Sequence, residues 1–297
     1  MANLKDVRDR IKSVSSTQQI TKAMKMVSAA KLRRAQDAIT QIRPYAKKLD
    51  EILSNVSATL DSISDNKYGI AREINRVLLV VITSDRGLCG GFNSSVAKAT
   101  EAHIEENYAS QYAKGDVELL CIGKKANEYF TKRGYTINED YVQMFSELSF
   151  DKAKLAAEFV MSEFEETSFD RVDVIYNEFK NAAVQILRKS QFLPILESEN
   201  EEEEEIVIST DYIYEPSKQY IVEELIPKSL KLQFYKAILD SHASEHGARM
   251  TAMDKATDNA GELLKDLKLV YNRTRQAAIT TEILEIVGGA EALAASK

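Results

Sequence analysis

Apolar positions at the start of the chain fall at Leu4, Val7, Ile11 and Val14, spaced 3-4-3. After a polar stretch they resume at Ile20, Met24 and Val27, then continue through Ala35, Ile39, Ile42, Ala46, Leu49, Leu53 and Val56. This is a helical period, and it predicts one helix over 3–57 with an apolar seam along it. At 1.5 Å per residue such a helix would reach about 80 Å. Pro44 lacks an N–H, so a kink or local interruption is expected there. Asp61, Ser62, Ser64, Asp65, Asn66 and Gly69 mark the end of the segment.

The pattern then changes. Val77–Thr83 is a continuous aliphatic and β-branched run, which suits a strand buried on both faces of a parallel sheet. A glycine-rich turn and a helix near 93–110 follow. Val117–Ile122 reads as a second buried strand, Lys124–Arg133 as a helix closed by Gly134, and Asp151–Glu166 as another helix. Val172–Phe179 and Ala183–Phe192 are close enough in sequence to form a hairpin. This alternation predicts an α/β layer domain over about 75–195. Seven glutamates in the nine residues Glu197–Glu205 repel one another and predict a loop. Tyr212–Pro216 reads as a short extended exit.

From about Ser217 the helical pattern returns and runs nearly to the end. Met253, Ala256, Ala260, Leu263, Leu267, Val270, Thr274, Ala277, Thr281 and Leu284 form a coiled-coil seam of alternating 3 and 4 steps. Neither long helix can bury its seam alone, so the simplest solution pairs them antiparallel. The expected fold class is α/β: a long antiparallel coiled coil of N- and C-terminal helices with an inserted Rossmann-like α/β domain. The expected divisions are 1–60, 70–210 including the acidic loop, and 211–297. Over Ile279–Leu293 apolar residues cover more than one helical face. A two-stranded coil cannot bury them all, so a sleeve of other chains is implied.

Composition agrees. Eleven Gly and four Pro make about 5% of 297 residues, against about 12% in an average chain. Few turns are available, which disfavours an all-β fold. No apolar run is long enough to span a membrane, and the start lacks the pattern of a signal or transit peptide. A cytoplasmic chain is expected. Net charge is -7 but uneven: residues 1–48 carry 12 Lys+Arg and 3 Asp. A basic arm on an acidic body suggests an acidic partner, although from charge alone a solvated helix face is the favoured reading.

Catalytic motifs are weak. Gly87-x-x-Gly90-Gly91 stands where a nucleotide-binding fold puts its phosphate loop, but it matches neither Gly-x-Gly-x-x-Gly nor a Gly-Lys-Ser/Thr loop. A nucleotide-dependent α/β enzyme using this loop is the rival reading, and a coiled-coil adaptor is another. His242-Ala-Ser-Glu245-His246 matches an inverted zinc-peptidase pattern. It lacks a third ligand and a cleft, so no metal is expected. His103 has no partner pattern. Cys89 and Cys121 form no disulfide framework. Cys121 lies in an apolar run and is expected in the core. The basic helix lacks interleaved aromatics, so nucleic-acid binding is not expected.

Several segments together resemble the gamma subunit of F-type ATP synthase. They are Ile20-Thr-Lys-Ala-Met-Lys-Met-Val27, Ser84-Asp-Arg-Gly-Leu-Cys-Gly-Gly-Phe-Asn93, Tyr212-Ile-Tyr-Glu-Pro216, Arg249-Met-Thr-Ala-Met253, Ala256-Thr-Asp-Asn259, Tyr271-Asn-Arg-Thr-Arg-Gln-Ala277 and Ile279–Ala290. The resemblance implies a non-catalytic rotor shaft with no cofactor. It would turn inside a ring of three alpha and three beta subunits, with its α/β domain on the c ring beside the epsilon subunit. By the same resemblance, Met24 and Lys25 lie near the beta lever segments, Arg275, Gln276, Thr280 and Glu282 engage the ring near the tip, and Tyr212 and Glu215 lie near the c ring. The expected location is peripheral, on the cytoplasmic face of a bacterial inner membrane.

Overall fold

The computed structural model describes residues 4–57, 67–195 and 218–295. The acidic run 197–205 and the positions Tyr212 and Glu215 lie outside the described residues. Contacts divide the chain into two units, Met1–Val27 with Met250–Lys297, and Ser28–Arg249. Two long helices run through that division: α1, Leu4–Ser57, and α6, Lys218–Ala295. Between them lie the strands β1 Val77–Ile82, β2 Val117–Ile122, β3 Thr136–Asn138, β4 Arg171–Phe179 and β5 Gln185–Leu193. The intervening helices are α2 Phe92–Asn107, α3 Ala109–Lys114, α4 Lys124–Thr131 and α5 Phe150–Glu165.

In the larger unit the five strands form one sheet in the order β3-β2-β1-β4-β5. The first four are parallel, and β5 returns antiparallel to β4 as the expected hairpin. β1 and β4 are central because their runs can be buried on both faces; all six residues of β1 are buried. Alternation along β1 divides the core in two. Leu78, Val80 and Ile82 pack with Ala153, Ala157, Val160 and Phe164 of α5 and with Ile226, Leu230, Phe234 and Ile238 of α6. Val77, Leu79 and Val81 pack on the other face with Val96, Ala97 and Ile104 of α2 and Ala126 and Phe130 of α4, where Cys121 also lies, as expected. The sequence pattern missed β3, whose three residues are too few to show a period. The expected helix over 93–110 ends at Asn107, and a second short helix, α3, closes at Gly115 with φ 84°. α1 runs through Pro44 as one helix instead of being interrupted. Buried Ile39 and Leu49 on either side supply the packing that outweighs one lost backbone bond.

In the smaller unit α1 and α6 pair antiparallel. Lys25 meets Asp254 and Arg8 meets Tyr271, so moving 17 residues back along α1 moves 17 forward along α6. The seam on α1 is Val7, Ile11, Val14, Gln18, Thr21 and Lys25, all buried or half-buried. On α6 it is Met253, Thr257, Ala260, Leu264, Leu267, Tyr271 and Thr274. Both are strict heptads, yet neither is quite the stripe that hydrophobicity predicts. Ile20 and Val27 are 60% and 58% exposed, and Leu263 and Val270 face solvent while Leu264 is buried. The reason lies in α6, which carries two overlapping apolar stripes sharing Met253, Ala260, Leu267 and Thr274. A single partner helix covers only one flank. The polar contacts offered by α1 select the flank that contains Thr257.

Candidate functional site

The arm made by residues 4–27 and 250–295 has a polar layer in its seam. Thr257 Oγ1 donates to Thr21 Oγ1 at 2.8 Å, Gln18 Nε2 donates to the Thr257 carbonyl at 3.4 Å, and Lys25 Nζ pairs with Asp254 Oδ1 at 2.5 Å. Only Thr21 of this layer is buried; polar groups in a seam cost stability relative to apolar ones, but they specify register. Beside it lies an open groove of about 480 Å³ lined by Gln18, Gln19, Lys22, Lys25, Met26, Asp254, Thr257 and Asp258. The groove carries both signs of charge, which suits a polar protein segment.

The sequence-derived contact residues separate into two groups. Met24 and Lys25 are half-buried at the polar layer, so Lys25 is already engaged within the arm. Arg275, Gln276, Thr280 and Glu282 lie on a stretch of α6 that is exposed at every residue from Arg275 to Glu291. The geometry explains that exposure. The described part of α1 starts at Leu4, four residues before Arg8, so the pairing it describes reaches about four residues beyond Tyr271. Past that point α6 continues with Ile279, Ile283, Leu284, Ile286 and Val287 all exposed. Thr280 Oγ1 bonds back to the Gln276 backbone carbonyl at 2.9 Å. Asp254 and Thr257 were not legible as site residues, because polar positions in an apolar seam read as flanks.

The loop after β1 is engaged by the protein's own groups. The first backbone N–H groups of α4 are taken internally: Lys124 N donates to Asp85 Oδ1 at 3.2 Å and Ala126 N to Thr83 Oγ1 at 2.8 Å. A phosphate at the N-terminus of α4 would need those same donors; at α2, which follows the Gly87–Gly91 turn, Gly91 is the N-cap with no side-chain cap hydrogen bond, and Phe92 N and Ser95 N donate to the Cys89 and Gly91 carbonyls. Gly123, with φ 101°, brings the chain so close that a Cβ there would lie 2.1 Å from the Thr83 carbonyl oxygen. On the α2 side Ser84 N and Oγ both donate to Asn93 Oδ1 at 3.0 Å, and Asn93 Nδ2 donates to Cys89 Sγ.

Arg249 of α6 completes this closure. Its Nη2 donates to the Arg86 carbonyl at 2.8 Å and the Gly87 carbonyl at 3.3 Å, while Nη1 pairs with Glu245. Both side chains are under 10% exposed. The loop so held presents Leu88 at φ 63° with 65% of its surface exposed. A left-handed leucine pointing into solvent is strained, and such strain persists only where surrounding contacts hold it. Neither Arg249 nor Leu88 was singled out from sequence. The only available signal was the i,i+4 spacing of Glu245 and Arg249.

The His-x-x-Glu-His pattern has a structural account. His246 Nδ1 accepts from Arg249 Nη1 at 3.4 Å, so its Nε2 carries the proton and donates to His242 Nε2 at 3.1 Å. Burial is the largest cause holding both rings neutral, pushing His242 down to about 4 and His246 down to about 3. Nearby Lys31 and Arg249 push the same way. Phe145 stacks on His242 with ring centroids 5.6 Å apart. Among the described residues, no three of His, Cys, Asp and Glu come together so as to hold a metal ion. His103, which shows no partner pattern in the sequence, meets a partner in the fold. Its Nε2 lies 2.7 Å from Asp173 Oδ2, which also accepts from the Tyr108 hydroxyl at 2.5 Å; Arg171 Nε donates to Oδ1 at 3.1 Å. Burial opposes ionisation of Asp173, but these donors win and hold its carboxyl below the usual range.

The family model described as ATP synthase matches residues 3–293. The ATP synthase gamma chain of Cytophaga hutchinsonii is 61% identical over 293 residues, 99% of each chain. That of Chlorobium phaeobacteroides is 50% identical over the same share of each. Among solved structures, a chain of the Euglena gracilis mitochondrial ATP synthase, OSCP/F1/c-ring, superposes with a TM-score of 0.70 at 25% identity, covering 99% of this chain and 95% of that one. A paired arm with an uncovered tip, a loop closed by its own side chains and this full-length likeness agree: the chain belongs to the ATP synthase gamma-chain family.

Proposed function

We propose that the chain is the central shaft of an F-type ATP synthase and does no chemistry itself. It couples rotation of a c ring to ATP synthesis or hydrolysis at sites on three alpha and three beta subunits. The observation that carries this reading is the tip of α6, exposed and apolar on more than one face from Ile279 to Val287. A monomer has no reason to leave such a helix bare, and an enclosing ring supplies the cover. Apolar contact is non-directional, so a tip held this way can turn without being trapped at one angle. The polar side chains Arg275, Gln276, Thr280 and Glu282 form and break contacts with the ring as it turns.

Met24 and Lys25, with the groove beside them, meet acidic lever segments of the beta subunits. The exposed Leu88 knob, two residues after exposed Arg86 in the same loop, offers such a segment an apolar anchor beside a cation. The α/β domain meets the c ring and the epsilon subunit, and Tyr212 and Glu215 belong to that contact. Membrane attachment runs only through the c ring; no described helix is long and apolar enough to cross a membrane. The expected location is the cytoplasmic face of a bacterial inner membrane, with no nucleic-acid partner.

The test is co-assembly followed by a coupling assay. The chain should copurify with alpha and beta subunits, and Arg275→Ala with Gln276→Ala should lower ATP synthesis while leaving the helicity of the free chain unchanged. Failure to copurify, or ATP synthesis unchanged in the double variant, would remove the proposed role from the chain or from those two residues respectively. Stoichiometric nucleotide binding by the free chain would favour the enzyme reading instead.

A further inference from the structure

Along α1 the apolar residues Leu4, Val7, Ile11 and Val14 lie in the buried heptad, but Ile20, Met24 and Val27 sit one residue out of phase with it. Counted through the polar, exposed Thr17, one step of 4 has become 3, so the repeat is one residue short, and a coil that followed it would be overwound locally. The structure does not follow it. The buried phase runs on regularly through Gln18, Thr21 and Lys25, which leaves Ile20 and Val27 well exposed. α6 opposite offers a matching choice, because Ala256, Leu263 and Val270 form a second stripe beside Thr257, Leu264 and Tyr271. The arm therefore holds two seams. One is polar, regular and occupied; the other is apolar and overwound, with Ile20, Val27, Leu263 and Val270 exposed and Met24 and Ala256 half-buried.

We infer that residues 14–27 of α1 against 253–271 of α6 form a two-seam torsional element. Turning α1 about its own axis by one residue, about 100°, and α6 by about half that, exchanges one seam for the other. The hydrophobic drive favours the apolar seam. Thr21–Thr257, Gln18–Thr257 and Lys25–Asp254 hold the polar one. Lys25 and Asp254 are the charged groups of this lock, and Lys22 and Asp258 flank them in the same groove. Opposed terms of this kind make a helix pair bistable rather than uniformly stiff. Twist in the overwinding sense is taken up by exchanging seams, and the lock restores the first seam when the twist is released. Its use in carrying torque rests on the shaft reading; the existence of two seams does not.

Thiol labelling of the full-length chain tests the two seams without any partner subunit. Cys89 and Cys121 are both buried and give a low background. Ile20→Cys and Leu264→Cys serve as probes, since Ile20 is exposed and Leu264 buried in the occupied seam and neither belongs to the lock. In the parent the first labels fast and the second slowly. Lys25→Glu, which sets like charges against each other at Asp254, should shift both rates towards exchange: Ile20→Cys about twofold to fivefold slower, Leu264→Cys about twofold to fivefold faster. The double swap Lys25→Glu with Asp254→Lys should restore the parental rates. Fast labelling at both probes with helicity retained, or no change at either, overturns the proposal. Should Lys25→Glu cost helicity, the milder Thr257→Ala, which removes only the hydroxyl contact, decides by the same two rates. Failure to co-assemble with alpha and beta subunits would instead sink the shaft reading and leave these rates interpretable.

Discussion

Replacing Arg249 by Met tests whether the loop after β1 is held from α6. The guanidinium does three things: it neutralises buried Glu245, satisfies the carbonyls of Arg86 and Gly87, and fixes the proton on His246. Methionine keeps much of the volume and none of the donors. Breaking a buried ion pair from one side costs about 3–5 kcal/mol, because the other charge stays buried without a partner. Burial already raises the Glu245 carboxyl, so Arg249 is what keeps it tolerable there. With a urea slope of about 2 kcal/mol/M, the midpoint should fall by about 1.5–2.5 M. The chain has 13 Tyr and no Trp, so tyrosine fluorescence and circular dichroism are the signals. Glu245→Met in the same chain should recover most of the loss, leaving about 1–2 kcal/mol for the two carbonyls. A single variant costing under about 1 kcal/mol, or a double variant costing the sum of the singles, would refute the reasoning.

Three further outcomes follow from the same geometry. Gly123→Ala should cost about 3 kcal/mol or more by thermal or urea unfolding, since its Cβ meets backbone and its φ is positive. Stability should fall on acidification below pH 6.5. His242 and His246 bind protons there in the unfolded chain but not in the fold until about pH 4 and about pH 3. The unfolded state gains protons first, so each ring costs up to about 1.4 kcal/mol per pH unit across that window; replacing both by Gln should flatten that part of the curve. A double-mutant cycle on Lys25 and Asp254, both about half-exposed, should give a coupling of only about 0.2–1 kcal/mol that shrinks in high salt.

Much of the fold was legible because its elements have strong periods. The buried runs of β1 and β2 could only be central strands, and α5 and the β4–β5 hairpin follow from spacing alone. The seam was harder. Hydrophobicity located only the α6 stripe through Ala256, Leu263 and Val270; the flank that is buried, through Thr257, Leu264 and Tyr271, depends on Thr21, Lys25, Asp254 and Thr257, whose polarity makes them look like surface. The closed loop was harder still. Gly87, Gly90 and Gly91 read as a possible phosphate cradle; the sequence does not show that Asp85 and Thr83 cap α4, or that Arg249, more than 160 positions away in the chain, binds the Gly87 carbonyl. Asp173 reads as a flaw in a strand until His103, Tyr108 and Arg171 converge on it. Local patterns carry local structure, whereas polar networks are set by tertiary contacts between distant positions.

The central claim is that the paired helices are a rotor shaft, and imaging of the assembled complex tests it most directly. The account predicts residues 4–27 and 250–295 on the axis of an alpha–beta ring, with Ile279–Val287 enclosed by ring subunits and different beta subunits facing Lys25 in different rotational states. A complex in which these residues lie outside the ring, or in which the tip of α6 stays bare to solvent, would contradict it.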